Sequence, residues 1–130
     1  MPGASDDRYQ PGVCNIGPAE IARRRRAGLL GVVVTVAVLV ALIVFHAPPM
    51  VRFLIALPAA GTAIGMLQAW LKFCVAFGSA GVFNFGALGR EQHVVDKQAR
   101  TRDRFRSIQI IGAGLLIGLA IGLAAALLPI

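Results

Sequence analysis

The residues whose side chains are best suited to chemistry are Cys14, Cys74 and His93. Thiolate sulfur and imidazole nitrogen bind soft metal ions, and two cysteines can act as a redox-sensing thiol pair. This hypothesis places a metal or redox site on the cytoplasmic side, but no two of the three residues stand at a motif spacing such as CxxC. The alternative is that Cys74 is a small buried residue and Cys14 is incidental. The sequence identifies no cofactor.

Enzyme motifs are missing from the sequence. It contains no GxSxG, HExxH or P-loop pattern and no paired carboxylates within an apolar stretch. We therefore expect a non-enzymatic protein and name no catalytic residue. A lipid-directed enzyme that uses Asp96 and Asp103 is the weaker alternative, because a run of charges is usually a solvated face.

The composition indicates which elements must position these residues. Of 130 residues, 57% are hydrophobic and 15% are charged, and the mean hydropathy is +0.74. An average soluble domain has about a quarter of its residues charged. The composition therefore excludes a disordered chain and favours a membrane protein.

The thirteen basic residues fall into two groups. Five precede residue 27 and six lie between Arg90 and Arg106, whereas only Arg52 and Lys72 stand between the groups. Basic flanks that stay in the cytoplasm have this distribution, so it argues against nucleic acid as a partner despite the net charge of +7. The candidates for topology or for contact with anionic lipid head groups are Arg23, Arg24, Arg25, Arg26, Arg100, Arg102, Arg104 and Arg106.

Two segments are strongly apolar. A helix over residues 18–46 contains the first predicted span; Pro18 suits its first position and Glu20 suits the positive end of its dipole. Two consecutive prolines, Pro48 and Pro49, end this helix. Residues 108–130 form the third predicted span.

The segment between them is less apolar. Residues 51–72 are predicted to be a second span, although Pro58 and Gln68 oppose insertion. Residues 73–88 are rich in Gly and Phe and are short for a separate crossing. Three spans keep both basic groups in the cytoplasm, so we read residues 73–88 as an interfacial or re-entrant segment.

Glycine spacing indicates how these helices pack. Gly61 and Gly65 form a GxxxG element, and Gly114, Gly118 and Gly122 repeat at intervals of four residues. Such faces let helix backbones approach closely. We favour packing within the chain over a homo-oligomer or partner interface, which would use the same faces.

The predicted architecture is an all-α, multi-pass plasma-membrane protein with three transmembrane helices. Residues 1–17 are expected to be a polar cytoplasmic tail, residues 89–107 a basic cytoplasmic loop, and the C-terminus lies outside. Residues 9–20 are varied in sequence, and we expect them to fold back onto the 89–107 loop. The preferred function is an accessory or scaffold subunit with a membrane-protein partner; the alternatives are the metal or redox protein and an oligomeric channel or transporter.

Overall fold

The computed structural model describes residues 8–129, so the expectations for residues 1–7 and 130 lie outside the described part of the chain. Its helices are α1 (Pro18–Val44), α2 (Pro49–Arg52), α3 (Ala56–Leu71), α4 (Val75–Ala80) and α5 (Lys97–Leu127). A 3-10 turn, Phe53–Ile55, joins α2 to α3. Two short strands, β1 (Val82–Phe83) and β2 (Gln92–His93), complete the fold.

Three helical segments are long and apolar enough to cross a membrane: Pro18–Val44, Pro49–Leu71 and Lys97–Leu127. This confirms, by length and composition, the predicted number of membrane-length helices. The second segment combines α2, the 3-10 turn and α3. Its proline, Pro58, lies in the first turn of α3, where a backbone N–H would have no partner within the helix, so the proline does not break it.

Helix α3 lies at the centre of the helical bundle. It packs along α1 on one side and along α5 on the other, whereas α1 and α5 contact each other little. Large apolar side chains of α1, such as Leu30, Val33 and Val44, remain exposed. The bundle is therefore a layer of three helices with α3 in the middle.

Helix α5 corrects one of the predicted boundaries. The polar residues 97–107, expected to belong to a loop, form one continuous helix with the third apolar segment. Asp96 begins this helix: its carboxylate accepts a hydrogen bond from the Gln98 N–H. From residue 97 to residue 111 the sequence contains neither glycine nor proline, so nothing interrupts the helix where polarity changes.

The segment between α3 and α5 is more structured than the all-α prediction allows. Strands β1 and β2 pair antiparallel, with Val82 opposite His93 and Phe83 opposite Gln92. Gly81 ends α4 in a left-handed conformation (φ 75°) that favours glycine, and its carbonyl accepts from the Val94 N–H. Helix α4 is attached to α5 because the Ser107 hydroxyl donates to the Val75 carbonyl at 3.1 Å. The Gly/Phe-rich residues are thus the base of a small folded unit.

Candidate functional site

We use the name polar cap for residues 8–17 and 72–96 together with residues 97–107 of α5. Its apolar centre consists of Phe83, Phe85, Val94 and Ala99, against which Tyr9 and Cys14 pack. The Tyr9 ring stacks on Phe83 with the ring centroids 4.8 Å apart. The expected fold-back of the N-terminal segment is confirmed, and it covers both the 73–88 segment and the start of α5.

Asp103 holds the N-terminal segment to α5. Its side chain is fully buried, and its carboxylate accepts from the Tyr9 hydroxyl at 2.5 Å and from the Gly12 N–H at 2.7 Å. The reading of Asp103 as part of a solvated charged face is therefore wrong. The N-terminal segment covers the Asp103 carboxylate and excludes water from it. The hydroxyl of Tyr9 and the N–H of Gly12 therefore take the place of water as its hydrogen-bond donors.

Asp96, Arg100 and Asp103 stand three and four residues apart, the spacing of helical ion pairs, but they do not pair with one another. The Arg100 Nε atom donates instead to the Val94 carbonyl at 2.7 Å, and Asp96 caps the helix. The spacing of three and four residues was compatible with ion pairs, but Asp103 faces the interior of the cap and Arg100 faces the loop before α5. Tertiary contacts decide the partners here.

Asn15 joins the N-terminal segment to the end of α3. Its side chain is completely buried; Oδ1 accepts from the Cys74 N–H at 2.7 Å and Nδ2 donates to the Cys74 carbonyl at 3.2 Å. The Asn15 carbonyl also accepts from the Asn84 N–H, whose own carbonyl accepts from the Gly17 N–H at 2.8 Å. A Cβ atom on Gly17 would lie 2.7 Å from the Phe85 carbonyl oxygen, so this close approach requires glycine.

Glu20 places a buried carboxylate in the first turn of α1. Arg24 forms an ion pair with it at 2.5 Å, and the Asn84 side chain donates to it at 2.8 Å. Asn84 also accepts from the Gly86 N–H and donates to the Ala87 carbonyl, so it holds the bend that follows β1 in addition to its contact with Glu20. The favourable first-turn position of Glu20 is observed, but its burial was not anticipated.

Arg24 differs from the arginines beside it in the sequence. Its Nη2 atom donates to the Cys74 sulfur at 2.7 Å, and its guanidinium lies 5.3 Å from the centre of the Phe77 ring. The side chains of Arg23, Arg25 and Arg26 are exposed. Arg24 therefore serves the interior of the polar cap. Arg100, Arg102 and Arg104 on α5 are also exposed.

The structure does not gather the three residues proposed for a metal or redox site. Cys74 is buried beside Arg24, His93 is exposed on β2, and the Cys14 thiol donates to the Ile16 carbonyl at 3.7 Å. Both cysteines are free thiols. Within residues 8–129, no group of three or more His, Cys, Asp and Glu side chains could hold a metal ion.

Titration of the cap residues follows from their burial. Desolvation raises the pKa of the Cys14 thiol, which disfavours the thiolate that metal binding and thiol exchange require. Desolvation, followed by the hydrogen bond to Asp103, also raises the pKa of the Tyr9 phenol above its ordinary value. Both groups are therefore held in their neutral forms.

The predicted glycine faces are used unequally. A Cβ atom on Gly118 would lie 2.5 Å from the Ala60 Cβ and 2.7 Å from the Ala60 backbone nitrogen. Gly114 and Gly122 meet Ile64 and Ala56 in the same way, which makes an antiparallel register of α5 against α3. Gly65 touches Gly28 of α1, whereas a Cβ atom on Gly61 would meet nothing within 4 Å.

At the other end of the bundle, one arginine binds the end of α5. Arg52 is 4% exposed and donates to the carbonyls of Ala125 at 2.8 Å, Ala126 at 3.1 Å and Leu128 at 3.0 Å, and to Ala47 at 2.8 Å. From the sequence, Arg52 is only one of two basic residues between the two basic groups, at the start of the second predicted span. Its position after two prolines and before an apolar helix was the available signal, but three of its four partners lie more than seventy residues away.

Taken together, the helices and the cap define a small helical protein with three membrane-length helices and an ordered polar unit at one end. No protein-family model matches the chain, and searches of curated proteins and of solved structures found no significant match.

Proposed function

We propose that this chain is a non-enzymatic integral membrane protein, an accessory or scaffold subunit that presents the polar cap to a membrane-protein partner at the cytoplasmic face of the plasma membrane. The observation that carries the proposal is the buried hydrogen bonding of Asn15, Glu20 and Asp103, which gives the cap a fixed shape. Such a network specifies one surface at the cost of desolvating three polar side chains. A fixed surface is what recognition of a partner needs.

The exposed charges of the cap support its cytoplasmic placement. Arg23 and Arg26 on α1 and Arg102 and Arg104 on α5 are exposed at the same end of the bundle, as the positive-inside rule requires of cytoplasmic flanks. Residues 73–88 then lie at the membrane interface, at the level of the exposed Trp70, a residue type common there. The C-terminus lies outside.

The glycine faces have a supporting part in this proposal. Because Gly114, Gly118 and Gly122 are filled by α3, they hold the bundle together rather than offer a surface to another chain. The surfaces left for a partner are the cap and the exposed faces of α1 and α5. This favours a scaffold over a channel, since the layer of three helices encloses no pathway among the described residues.

Orientation is tested with an impermeant maleimide on intact cells. In a background of Cys14→Ser and Cys74→Ser, the variant Gln92→Cys reports on the cap and the matched variant His46→Cys reports on the other end. We expect His46→Cys to react in intact cells and Gln92→Cys only after the membrane is opened. The reverse pattern would contradict the orientation.

The subunit role is tested by purifying the full chain in mild detergent from its native host and identifying crosslinked proteins. We expect one membrane protein to be crosslinked reproducibly through cap residues and to be lost in Asn15→Ala, which loosens the cap. A homo-oligomer of defined size would favour the channel hypothesis instead. A chain that remains monomeric and alone would contradict the subunit role.

A further inference from the structure

A groove of about 580 Å³ runs between α1 and α5, with α3 as its floor. Apart from one arginine, its walls are apolar. The residues that matter for the argument are Arg25, Leu29, Met66, Leu67, Trp70 and Ile117. It begins at the end of the bundle that carries the polar cap.

A second groove of about 280 Å³ continues the first along the same face of the bundle. The two share Ala63 and Ile117, and the second extends along α1 to Val36. From Arg25 to Val36 the rise along α1 is about 16 Å, at about 1.5 Å per residue. The joined groove is therefore long, narrow and apolar, with small alanines in its floor and larger side chains on both walls.

The charge of the groove is confined to one end. Arg25 is the one charged residue among those that line the two grooves. Within residues 8–129 it takes part in no ion pair, whereas its neighbour Arg24 is paired with Glu20. Trp70 stands beside Arg25 at the rim and is 78% exposed. Tryptophan and arginine are both typical of the level of lipid head groups.

We infer that this groove binds one anionic phospholipid, with its phosphate at the Arg25 guanidinium and an acyl chain lying over Ala63 toward Val36. The inference rests on the proposed membrane location and adds a ligand class and a site to it. Positive charge at one end and a continuous apolar furrow match the two parts of such a lipid. Helix α3 presents no carboxylate to the groove that would compete for Arg25.

The groove is a poor fit for another transmembrane helix. Close helix packing in a membrane uses small residues on both partners, and Gly28, Gly31 and Gly118 are already in contact with α3 residues within the chain. The groove is instead lined by the long side chains of Leu29, Met66 and Ile117. An acyl chain is flexible enough to follow such walls.

The single tryptophan of the chain, Trp70, provides the test. The full-length protein is reconstituted in phosphatidylcholine vesicles that contain an equal minor fraction of brominated phosphatidylglycerol or of brominated phosphatidylcholine. Quenching of the Trp70 emission then reports how often each lipid lies at the groove. We expect about fivefold higher occupancy by the anionic lipid, the ratio expected of one basic residue near the surface.

Arg25→Gln should remove this preference, and the matched control Arg26→Gln should keep it, because Arg26 lies on the same helical turn but does not line the groove. Equal quenching by both lipids in the wild type would overturn the inference. Equal loss in both variants would also overturn it, because the attraction would then be a diffuse surface effect. Quenching by neither lipid would mean that the chain is not embedded, and the proposed membrane function would fail with it.

A second pair of variants tests the acyl-chain part separately. Ala63→Leu fills the groove where its two parts meet, whereas Gly61→Leu adds a side chain to α3 in open space. We expect Ala63→Leu to lower the occupancy of either brominated lipid at Trp70 and Gly61→Leu to leave it unchanged. Unchanged occupancy in Ala63→Leu would contradict an acyl chain in the groove.

Discussion

The two ends of the helical bundle are held in opposite ways. At the polar cap and the adjoining first turn of α1, Asn15, Glu20 and Asp103 each make two side-chain contacts, and these contacts connect four separate stretches of the chain. At the far end, which we define as residues 45–52 with residues 125–129, Arg52 alone binds four carbonyl groups. The cap spreads its polar contacts over many side chains, and the far end concentrates them on one.

This difference follows from what each end must satisfy. A helix C-terminus leaves its last carbonyls without partners and has negative dipole charge, so one guanidinium with five donors can serve several carbonyls at once. The cap must instead join an extended segment, a short helix and two strands, whose unpaired groups include both donors and acceptors. Asparagine side chains pair with both donors and acceptors, and carboxylates pair with donors. A single cation could not do this, because it only donates hydrogen bonds.

The comparison predicts the largest single effect at Arg52. Arg52→Gln removes a charged donor from the carbonyls of Ala125, Ala126 and Leu128, and we expect a loss of about 3 kcal/mol in the free energy of unfolding. Denaturation in mixed micelles measures it, and hydrogen exchange should increase at residues 125–128. Arg52→Lys keeps the charge but not the forked geometry, so its loss should be intermediate. If Arg52→Gln were as stable as the wild type, the far end would not depend on the contacts of Arg52.

The cap should lose less from any one substitution. Asn15→Ala leaves the buried Cys74 N–H without its partner, and we expect a loss of about 2 kcal/mol, with faster proteolysis of residues 9–17. The exposed Gln10 provides the matched control, since Gln10→Ala should change neither quantity. Hydrogen exchange at the far end should stay as in the wild type. Equal loosening of both ends would show that they are not independent.

A smaller effect is expected at Tyr9. Tyr9→Phe keeps the stack on Phe83 but removes the hydroxyl that donates to Asp103, so the loss should be about 1 kcal/mol. A double-mutant cycle with Asp103→Asn, followed by thermal unfolding, isolates the pair. If the two losses add without coupling, the hydroxyl does not contribute through Asp103.

The gentlest test uses pH and leaves the sequence unchanged. The chain has one tyrosine, so phenolate absorbance reports Tyr9 alone. Because the fold raises its pKa above the ordinary value of about 10, the folded protein should show little phenolate at pH 10, whereas the unfolded chain should titrate there. The folded state favours the neutral phenol, so its stability should decrease as pH rises above 10. A normal titration in the folded protein would place Tyr9 in water.

The sequence was sufficient to predict the helices but not the cap. Hydropathy and the proline pair identified three membrane-length segments because insertion depends on summed local composition. Glycine spacing at Gly114, Gly118 and Gly122 predicts a close packing face, but it could not reveal that Ala56 and Ala60 of α3 lie against these glycines while Gly61 stays open. The spacing of residues along one helix shows which of its faces can pack closely. It does not show which residues of a neighbouring helix lie opposite that face.

The polar residues were harder to predict because their burial depends on segments that are distant in the sequence. Asp103 has the local pattern of a solvated helix, and only the return of Tyr9 and Gly12 excludes water from it. Arg52 stands at the start of the second predicted span, and three of its four partners lie at or just beyond the end of α5. The fold-back of residues 9–20 was expected from their varied sequence, but the burial of Glu20 and the internal contacts of Arg24 were not.

Helix α5 is one unbroken rod of 31 residues, about 46 Å long at about 1.5 Å per residue. The N-terminal segment holds it through Asp103 near one end, and Arg52 binds the carbonyls at the other. The contacts at the cap and at the far end are therefore joined by one continuous helix, with no break in its secondary structure between them. In a bilayer, a displacement of this helix at one membrane face would also displace its end at the other face.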